Sequence, residues 1–233
     1  MKLAVISDIH GNHLGLRAVL KKIKALKIKR ILILGDFVGY YYWPEIVINE
    51  LCNFNYTAIK GNHEDILKNY LIDREYRNRI NIKYGNGIDF AIKKIKKKDL
   101  DWLINLPEKK ELKISGNNFL LCHGAPWDKN EYVYPNKFGK FRRKYLNLPF
   151  KWILQGHTHY PMIKVLPNSI VLNPGSVGQP RDGSVGAQWA MIDTKNNIAE
   201  QFCEKYDNSK IISKVKEINP ELPYLANILK GKK

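Results

Sequence analysis

Three cysteines in 233 residues, at Cys52, Cys122 and Cys203, are too few and too scattered for a disulfide framework or a zinc ribbon. They suit free thiols in a reducing compartment. No apolar run reaches the roughly 18 residues of a membrane span. Met1-Lys2 leads directly into Leu3-Ala4-Val5-Ile6, a run too short for a secretory signal and closed by Asp8. Linkers rich in proline or serine, low-complexity tracts and solenoid-length repeats are missing as well. A chain of this length then reads as one domain over residues 1–233, cytoplasmic and without a membrane segment. Acidic residues are also scarce. Asp and Glu number 22 against 39 Lys and Arg, a formal charge of +17, which favours anionic partners such as nucleic acid or nucleotides.

The cations are concentrated. Residues 17–30 hold seven of them and no acid, with Leu16, Val19, Leu20, Ile23 and Leu26 at helical spacing on the other side. Residues 74–98 hold nine cations against two acids, and 129–144 are also basic. Between residues 127 and 150 the cations interleave with Tyr132, Tyr134, Phe138, Phe141 and Tyr145. Rings among phosphate-seeking cations are one way to hold single-stranded nucleic acid. Core aromatics beneath a lysine-rich surface give the same pattern, so both readings stand. Segment 127–150 is expected as a loop or cap. The stretch from about 210 is expected as a peripheral tail, helical, then interrupted by proline, and ending in lysines.

Short apolar runs bounded by turn residues mark the strands. The first half alternates strands at 2–7, 30–34 and 56–60 with helices at about 13–26, 45–52 and from 64 onward. Pro44 suits a first helical turn, where its missing N–H costs nothing. Helical stretches near 87–95 and 99–106 lead to a second half of mainly strands, at 111–114, 118–122, 152–155, 162–166, 169–172, 187–193 and 198–204. A parallel α/β half followed by a mostly antiparallel half points to two packed sheets with helices outside.

Histidine is rare, yet five of the six fall in polar turns at the ends of those apolar runs. In order, the turns are Asp8-Ile9-His10-Gly11, Gly35-Asp36, Gly61-Asn62-His63-Glu64, Cys122-His123-Gly124 and Gly156-His157-Thr158-His159. Carboxylate, amide oxygen and imidazole are ligands that suit Mn, Fe, Co, Ni and Zn dications. Strands paired side by side would carry the turns to one sheet edge, where rigid backbone meets a sharply turning loop. Asp36, alone in its turn, is the natural carboxylate bridge between two cations. Asp8 and His10 lie two apart and can project toward one cation together, as can His157 and His159. Two dications roughly 3.5–4 Å apart polarise a phosphoryl oxygen and generate hydroxide near neutral pH. Each residue alone fits an ordinary turn, but the set does not.

Other residues carry two readings. Asn12 caps the first helix or reaches substrate, and His13 starts that helix. Cys122 has no basic neighbour in sequence and reads as a core thiol rather than a nucleophile. Arg181 follows a loop rich in glycine and proline and is a phosphate clamp or a surface arginine. Asn173 and Ser176 read as loop formers.

The ordered series D-x-H, G-D, G-N-H-E, C-H-G and G-H-T-H closely resembles the calcineurin-like metallophosphoesterase superfamily, over residues 1 to about 193. The tracts GDFVGY at 35–40 and LNPGSVGQPR at 172–181 resemble its small prokaryotic predicted-phosphodiesterase branch. That branch is also similar to a retromer subunit that keeps the fold without the activity. The resemblance implies an α/β fold, a four-layer α-β-β-α sandwich of two mixed sheets. It implies Asp8, His10, Asp36 and His159 on one metal, and Asp36, Asn62, His123 and His157 on the other. His63 would be no ligand; its implied role is to stabilise the phosphoryl group and protonate the leaving oxygen. Glu64 or Asp65 would orient it, or would favour the following helix start through the dipole. The superfamily pattern has a second aspartate three positions after Asp36. Here that position is Gly39.

The expected protein is therefore a dinuclear-metal-dependent phosphoesterase acting on a phosphate-ester substrate, a phosphodiesterase ahead of a monoesterase. Two divalent ions serve it, Mn first, with Ni, Fe, Co or Zn also fitting the ligands. One alternative is a nuclease or nucleotide phosphohydrolase using the basic-aromatic surface; another is a non-catalytic scaffold. No sequence feature specifies an oligomeric state.

Overall fold

The apolar runs pair into two five-stranded sheets in the computed structural model, which describes residues 1–231. The last two lysines of the expected tail, Lys232 and Lys233, lie outside the described residues. Strands β1 (Lys2–Ile6), β2 (Arg30–Ile33) and β3 (Asn55–Ala58) run parallel, with Ala4 opposite Ile31 and Ile31 opposite Tyr56. The second sheet has the order β4-β5-β6-β8-β7, from β4 (Lys109–Ile114), β5 (Asn117–Cys122), β6 (Trp152–Leu154), β7 (Met162–Val165) and β8 (Ile170–Asn173). The chain then returns to the first sheet, where β9 (Ala187–Asp193) pairs antiparallel with β1 and β10 (Ile198–Glu204) pairs antiparallel with β9.

The second half is less antiparallel than expected. Its central strands β5, β6 and β8 are parallel, Leu121 facing Leu154 and Leu154 facing Leu172, and only β4 and β7 run against them. Parallel neighbours need a crossover. Here the crossovers are the turn-rich segment 123–151 and β7, neither marked by a long amphipathic helix.

Strands covered on both faces explain the continuous apolar runs. Leu3 and Val5 face the opposite sheet with Leu32, Phe119, Leu121, Trp152 and Leu172. Ala4 and Ile6, with Ile31 and Ile33, face the helical layer. That layer holds α1 (His13–Ala25), α2 (Pro44–Leu51), α3 (Asn62–Ile72), α4 (Arg74–Tyr84), α5 (Gly87–Lys94) and α6 (Lys97–Ile104). Helix α4 escapes sequence patterning because Ile80 is its one buried residue; the Asp73 carboxylate, accepting the Tyr76 N–H at 2.9 Å, caps its start. Among the described residues, no helix is long and apolar enough to cross a membrane.

The fourth layer is thin. Segment 125–150 contributes a 3-10 turn and the short α7 (Arg142–Leu146), burying Phe138 and Tyr145 against Leu120, Cys122, Ile153 and Val171. Trp127 and Phe141 stack on each other at 5.8 Å and pack against that cluster. The C-terminal stretch, expected to be peripheral, forms α8 (Ser209–Ile218) and α9 (Tyr224–Leu229). Its Ile211, Val215, Leu225 and Leu229 are buried against Tyr40, Tyr41 and Tyr42. An aromatic run beside the strand ends needs cover, and the tail supplies it.

Candidate metal centre

The C-terminal ends of β1, β2 and β3 in one sheet, and of β5, β6 and β8 in the other, meet at one edge of the sandwich. The loops leaving them are bonded to one another. The Asp8 N–H donates to Gly35 O (3.1 Å), the His10 N–H to Asp36 O (2.9 Å), the Gly156 N–H to His123 O (2.7 Å) and the Gly178 N–H to Asp8 O (2.9 Å). Asp8, His10, Asp36, His157 and His159 all adopt left-handed backbone, with φ of 55°, 51°, 56°, 66° and 60°. Each such residue costs on the order of 1–3 kcal/mol and persists only where its surroundings over-determine it. Asp and His are among the side chains that tolerate the region best.

Six acceptor atoms converge there. His159 Nε2 lies 3.2 Å from Asp8 Oδ1 and 3.1 Å from His10 Nε2. Asp36 Oδ2 lies between two imidazoles, 3.6 Å from His10 Nε2 and 3.3 Å from His123 Nε2. Asn62 Oδ1 is 3.1 Å from His123 Nε2. The outer nitrogens are committed: Nδ1 of His10, His123 and His159 sits 3.0, 2.7 and 2.7 Å from the carbonyls of Val38, Leu34 and Gln179. A ring that donates its Nδ1–H outward turns an Nε2 lone pair inward, as metal-ligating histidines do. His10 and His159 thus face each other lone pair to lone pair, and among the described residues the buried Asp8 Oδ1 has no hydrogen-bond partner. A cation or a proton among these atoms makes the arrangement favourable. Asp8, His10, Asp36 and His159 offer one ligand atom each within 4.8 Å of one another. His157 joins them by its backbone, its N–H donating to Asp8 Oδ2 at 3.1 Å, and its ring lies 5.0 Å from that of His123.

The electrostatics agree. Burial alone would raise Asp36, yet His123 and His63 hold it well below the usual carboxylate range. Asp8 is lowered in the same way, His159 and His123 outweighing its burial. Burial pushes His10 down, and takes His157 to about 3 and His63 to about 4. His123 alone goes the other way: burial opposes its charge, but Asp36 and Asp8 lift it to about 10.

Glu64 does not orient His63. Its buried carboxylate accepts the N–H groups of Asp36 (2.9 Å), Phe37 (2.8 Å) and Gly61 (2.7 Å), tying the turn after β2 to the start of α3. Burial and the nearby Asp36 charge push it up to about 7. Asp65 pairs with Lys60 at 2.9 Å and with Lys129 of the segment after β5. His63 is held otherwise: its N–H donates to Asp36 Oδ1 at 2.8 Å, and its ring packs on His10 (4.6 Å), Tyr40 (5.0 Å) and Tyr84 (5.3 Å). Among the described residues its Nδ1 has no hydrogen-bond partner, and a Cβ built at Gly39 would overlap it. Glycine at 39, in place of an aspartate, is what lets the ring lie there.

Several supporting residues were under-read in the sequence. Asn173 donates to Gly156 O (2.7 Å) and Thr158 Oγ1 (3.0 Å), and Ser176 Oγ donates to Asp8 O (2.7 Å), so both brace the ligand turns. Asn12 caps α1 through the Gly15 N–H (2.9 Å) and also donates to Gly178 O, its carboxamide thus used by the fold. His13 begins α1 and packs on Trp43. Cys122 is buried, its thiol pushed up to about 12 by desolvation, which fits a core thiol. Tyr40, unmarked in sequence except by the glycine before it, has φ 41° and packs edge-on against His10 at 4.5 Å. Arg181 Nη2 donates to its hydroxyl at 2.8 Å.

A buried, strained cluster of carboxylates and imidazoles at the shared edge of two mixed sheets is a candidate metal centre. The chain belongs to the calcineurin-like phosphoesterase superfamily, whose domain matches residues 1–197. An uncharacterised protein of Methanocaldococcus jannaschii is 33% identical over 238 residues, spanning 91% of each chain. The crystal structure of a hypothetical protein from Pyrococcus horikoshii superposes with a TM-score of 0.86 at 23% identity, over 100% of this chain and 99% of that one. A metallophosphoesterase from Sphaerobacter thermophilus gives 0.80 at 24%, over 99% and 98%. At these identities the likeness is one of fold.

Proposed function

We propose that the protein is a dinuclear-metal-dependent phosphodiesterase of the cytoplasm, with manganese as its first-choice ion and Ni, Fe, Co or Zn as substitutes. The position of Asp36 Oδ2 between His10 Nε2 and His123 Nε2 carries this reading, since one carboxylate oxygen faces two separate sets of donors. Asp8, His10 and His159 would complete one set, and Asn62, His123 and His157 the other. Two bound dications would polarise the phosphoryl group and supply hydroxide from water.

The chain's own residues do the rest. The carbonyls of Val38, Leu34 and Gln179 hold the imidazoles in the ligating tautomer. Glu64 keeps the Asp36 and Asn62 turns in register through three N–H bonds. His63, pinned between His10 and Tyr40, is the group we assign to the leaving oxygen, as its proton donor. The diester is preferred to a monoester on the likeness of the tracts at 35–40 and 172–181 to the predicted-phosphodiesterase branch.

The test is hydrolysis of bis-p-nitrophenyl phosphate against p-nitrophenyl phosphate by metal-stripped protein given Mn, Ni, Co, Fe or Zn, alongside His63→Ala. The expected result is metal-dependent cleavage that favours the diester. The variant should keep its metal and lose most on an alkyl leaving group, where general-acid help matters most, by about 10²–10⁴-fold. Full activity of the variant on an alkyl diester would remove the role of His63. No turnover with any ion, despite two bound per chain, would favour a scaffold.

A further inference from the structure

His157 is the candidate ligand that the thin fourth layer holds. Its Nε2 lies 3.3 Å from the backbone O of Asn130, and the Tyr132 ring packs on its imidazole at 4.0 Å. A carbonyl oxygen only accepts, so Nε2 carries the hydrogen and Nδ1 keeps the lone pair that a cation takes. The carbonyls behind His123, His10 and His159 belong to turns bonded to the rest of the sheet edge. The Leu34 N–H donates to Ile6 O at 3.0 Å, the Gly11 N–H to Phe37 O, beside Val38, at 2.9 Å, and the Gln179 N–H to Ser176 Oγ at 2.7 Å. Asn130 sits in a turn-rich loop after β5 whose own bonds, Ala125 with Asp128 and Glu131 to Asp128, stay within the loop.

Charge ties that loop down. Lys129, the residue before Asn130, places its ammonium between Asp65 of α3 and Glu108 of the turn before β4, 2.5 Å from the latter. Lys60, just after β3, closes the group at 2.9 Å from Asp65 and 3.8 Å from Glu108. Two cations and two carboxylates balance. The Lys129 side chain is 20% exposed, so water and salt screen it less than a surface pair. Its backbone lies close to a ligand turn as well, since a Cβ at Gly124, next to His123, would overlap Lys129 O. Asp65 stands three residues after Asn62 in α3. The pairing therefore joins the helix that begins at one candidate ligand of the second set to the loop that backs another.

We propose that Lys129 is a positioning residue for the second metal site: its pairing with Asp65 and Glu108 holds Asn130 O against His157 and fixes that imidazole before an ion arrives. It acts through the loop, because the partners of its ammonium are carboxylates outside the ligand set. Without the pairing, the loop and the ring must be ordered as the ion binds, which opposes binding. The proposal rests on the dinuclear reading above.

Calorimetric titration of the metal-stripped full chain with Mn tests it. Wild type should take up two ions per chain. Lys129→Met, which keeps the aliphatic stem, should weaken one site by about tenfold, the lower end of the loss for an outer partner of a ligand, and leave the other unchanged. Lys129→Arg should restore the affinity. Asp65→Asn combined with Glu108→Gln removes the same pairing from the acid side and should reproduce the loss, which covers the case of Lys129→Met failing to fold. In a His157→Ala background, Lys129→Met should change neither affinity, because the ring it positions is gone. A merely structural role would instead add its loss to that of His157→Ala. Additive losses, or wild-type affinities for both ions once the pairing is removed, overturn this proposal alone. Uptake of fewer than two ions by wild type overturns the dinuclear reading and the proposal with it.

Discussion

His10 Nε2 and His159 Nε2 stand 3.1 Å apart, and each ring has its other nitrogen on a backbone carbonyl. Two lone pairs at that distance repel unless a cation or a proton comes between them. Metal binding is therefore also stabilisation of the fold. At a free ion concentration a hundredfold above Kd, a bound ion adds about 2.7 kcal/mol. For a chain of this size that corresponds to roughly 5–10 °C in Tm. Calorimetry of metal-stripped and Mn-saturated protein checks it; coincident melting curves would mean that the cluster holds no ion.

The three N–H bonds to Glu64 set a second expectation. Glu64→Gln keeps the shape but turns an NH₂ toward backbone donors. Leaving one such donor unsatisfied costs about 1–3 kcal/mol. Urea denaturation should show that loss. Metal content should fall with it, because the Asp36 and Asn62 turns lose their common anchor. Unchanged stability would mean that water replaces the carboxylate.

Gly39 and Gly116 form a natural control pair. Both have positive φ, 101° and 80°, but a Cβ at Gly39 would overlap His63 whereas one at Gly116 meets nothing within 4 Å. Gly116→Ala should carry only the backbone strain, about 1–2 kcal/mol. Gly39→Ala adds a steric clash at the site, so its stability loss should exceed that of Gly116→Ala and its activity should collapse. Equal effects of the two substitutions on stability and turnover would dismiss the contact with His63.

The cysteines give a direct chemical readout of burial. Cys52 and Cys203 are exposed, while Cys122 is buried with its thiol pushed up to about 12. A thiolate-seeking reagent such as DTNB should modify two thiols in the native protein and three after denaturation. Cys122→Ala should lose about 1–2 kcal/mol of packing but keep turnover. Loss of turnover with intact folding would give the thiol a role at the site.

Much of this protein is written locally. Runs such as Leu3–Ile6 and Trp152–Leu154 end in Asp, Asn, His and Gly, and the turns that follow depend on residues adjacent in sequence. The strand positions and the fourfold layering could therefore be read from the chain. What depends on contact between distant segments could not. The parallel pairing of β5, β6 and β8 is set by crossovers that carry no helical period. Glu64 read as a partner of His63 or as a helix-start acid, because its three donors lie in turns brought together only by the folding of β2 beside β3. The tail read as peripheral because its apolar residues find their partners, Tyr40–Tyr42, some 170 positions away. Residue types and turn positions belong to the sequence. Which lone pairs face each other and which ring Gly39 admits belong to the tertiary structure, since each is a distance between groups that the chain keeps far apart until it folds.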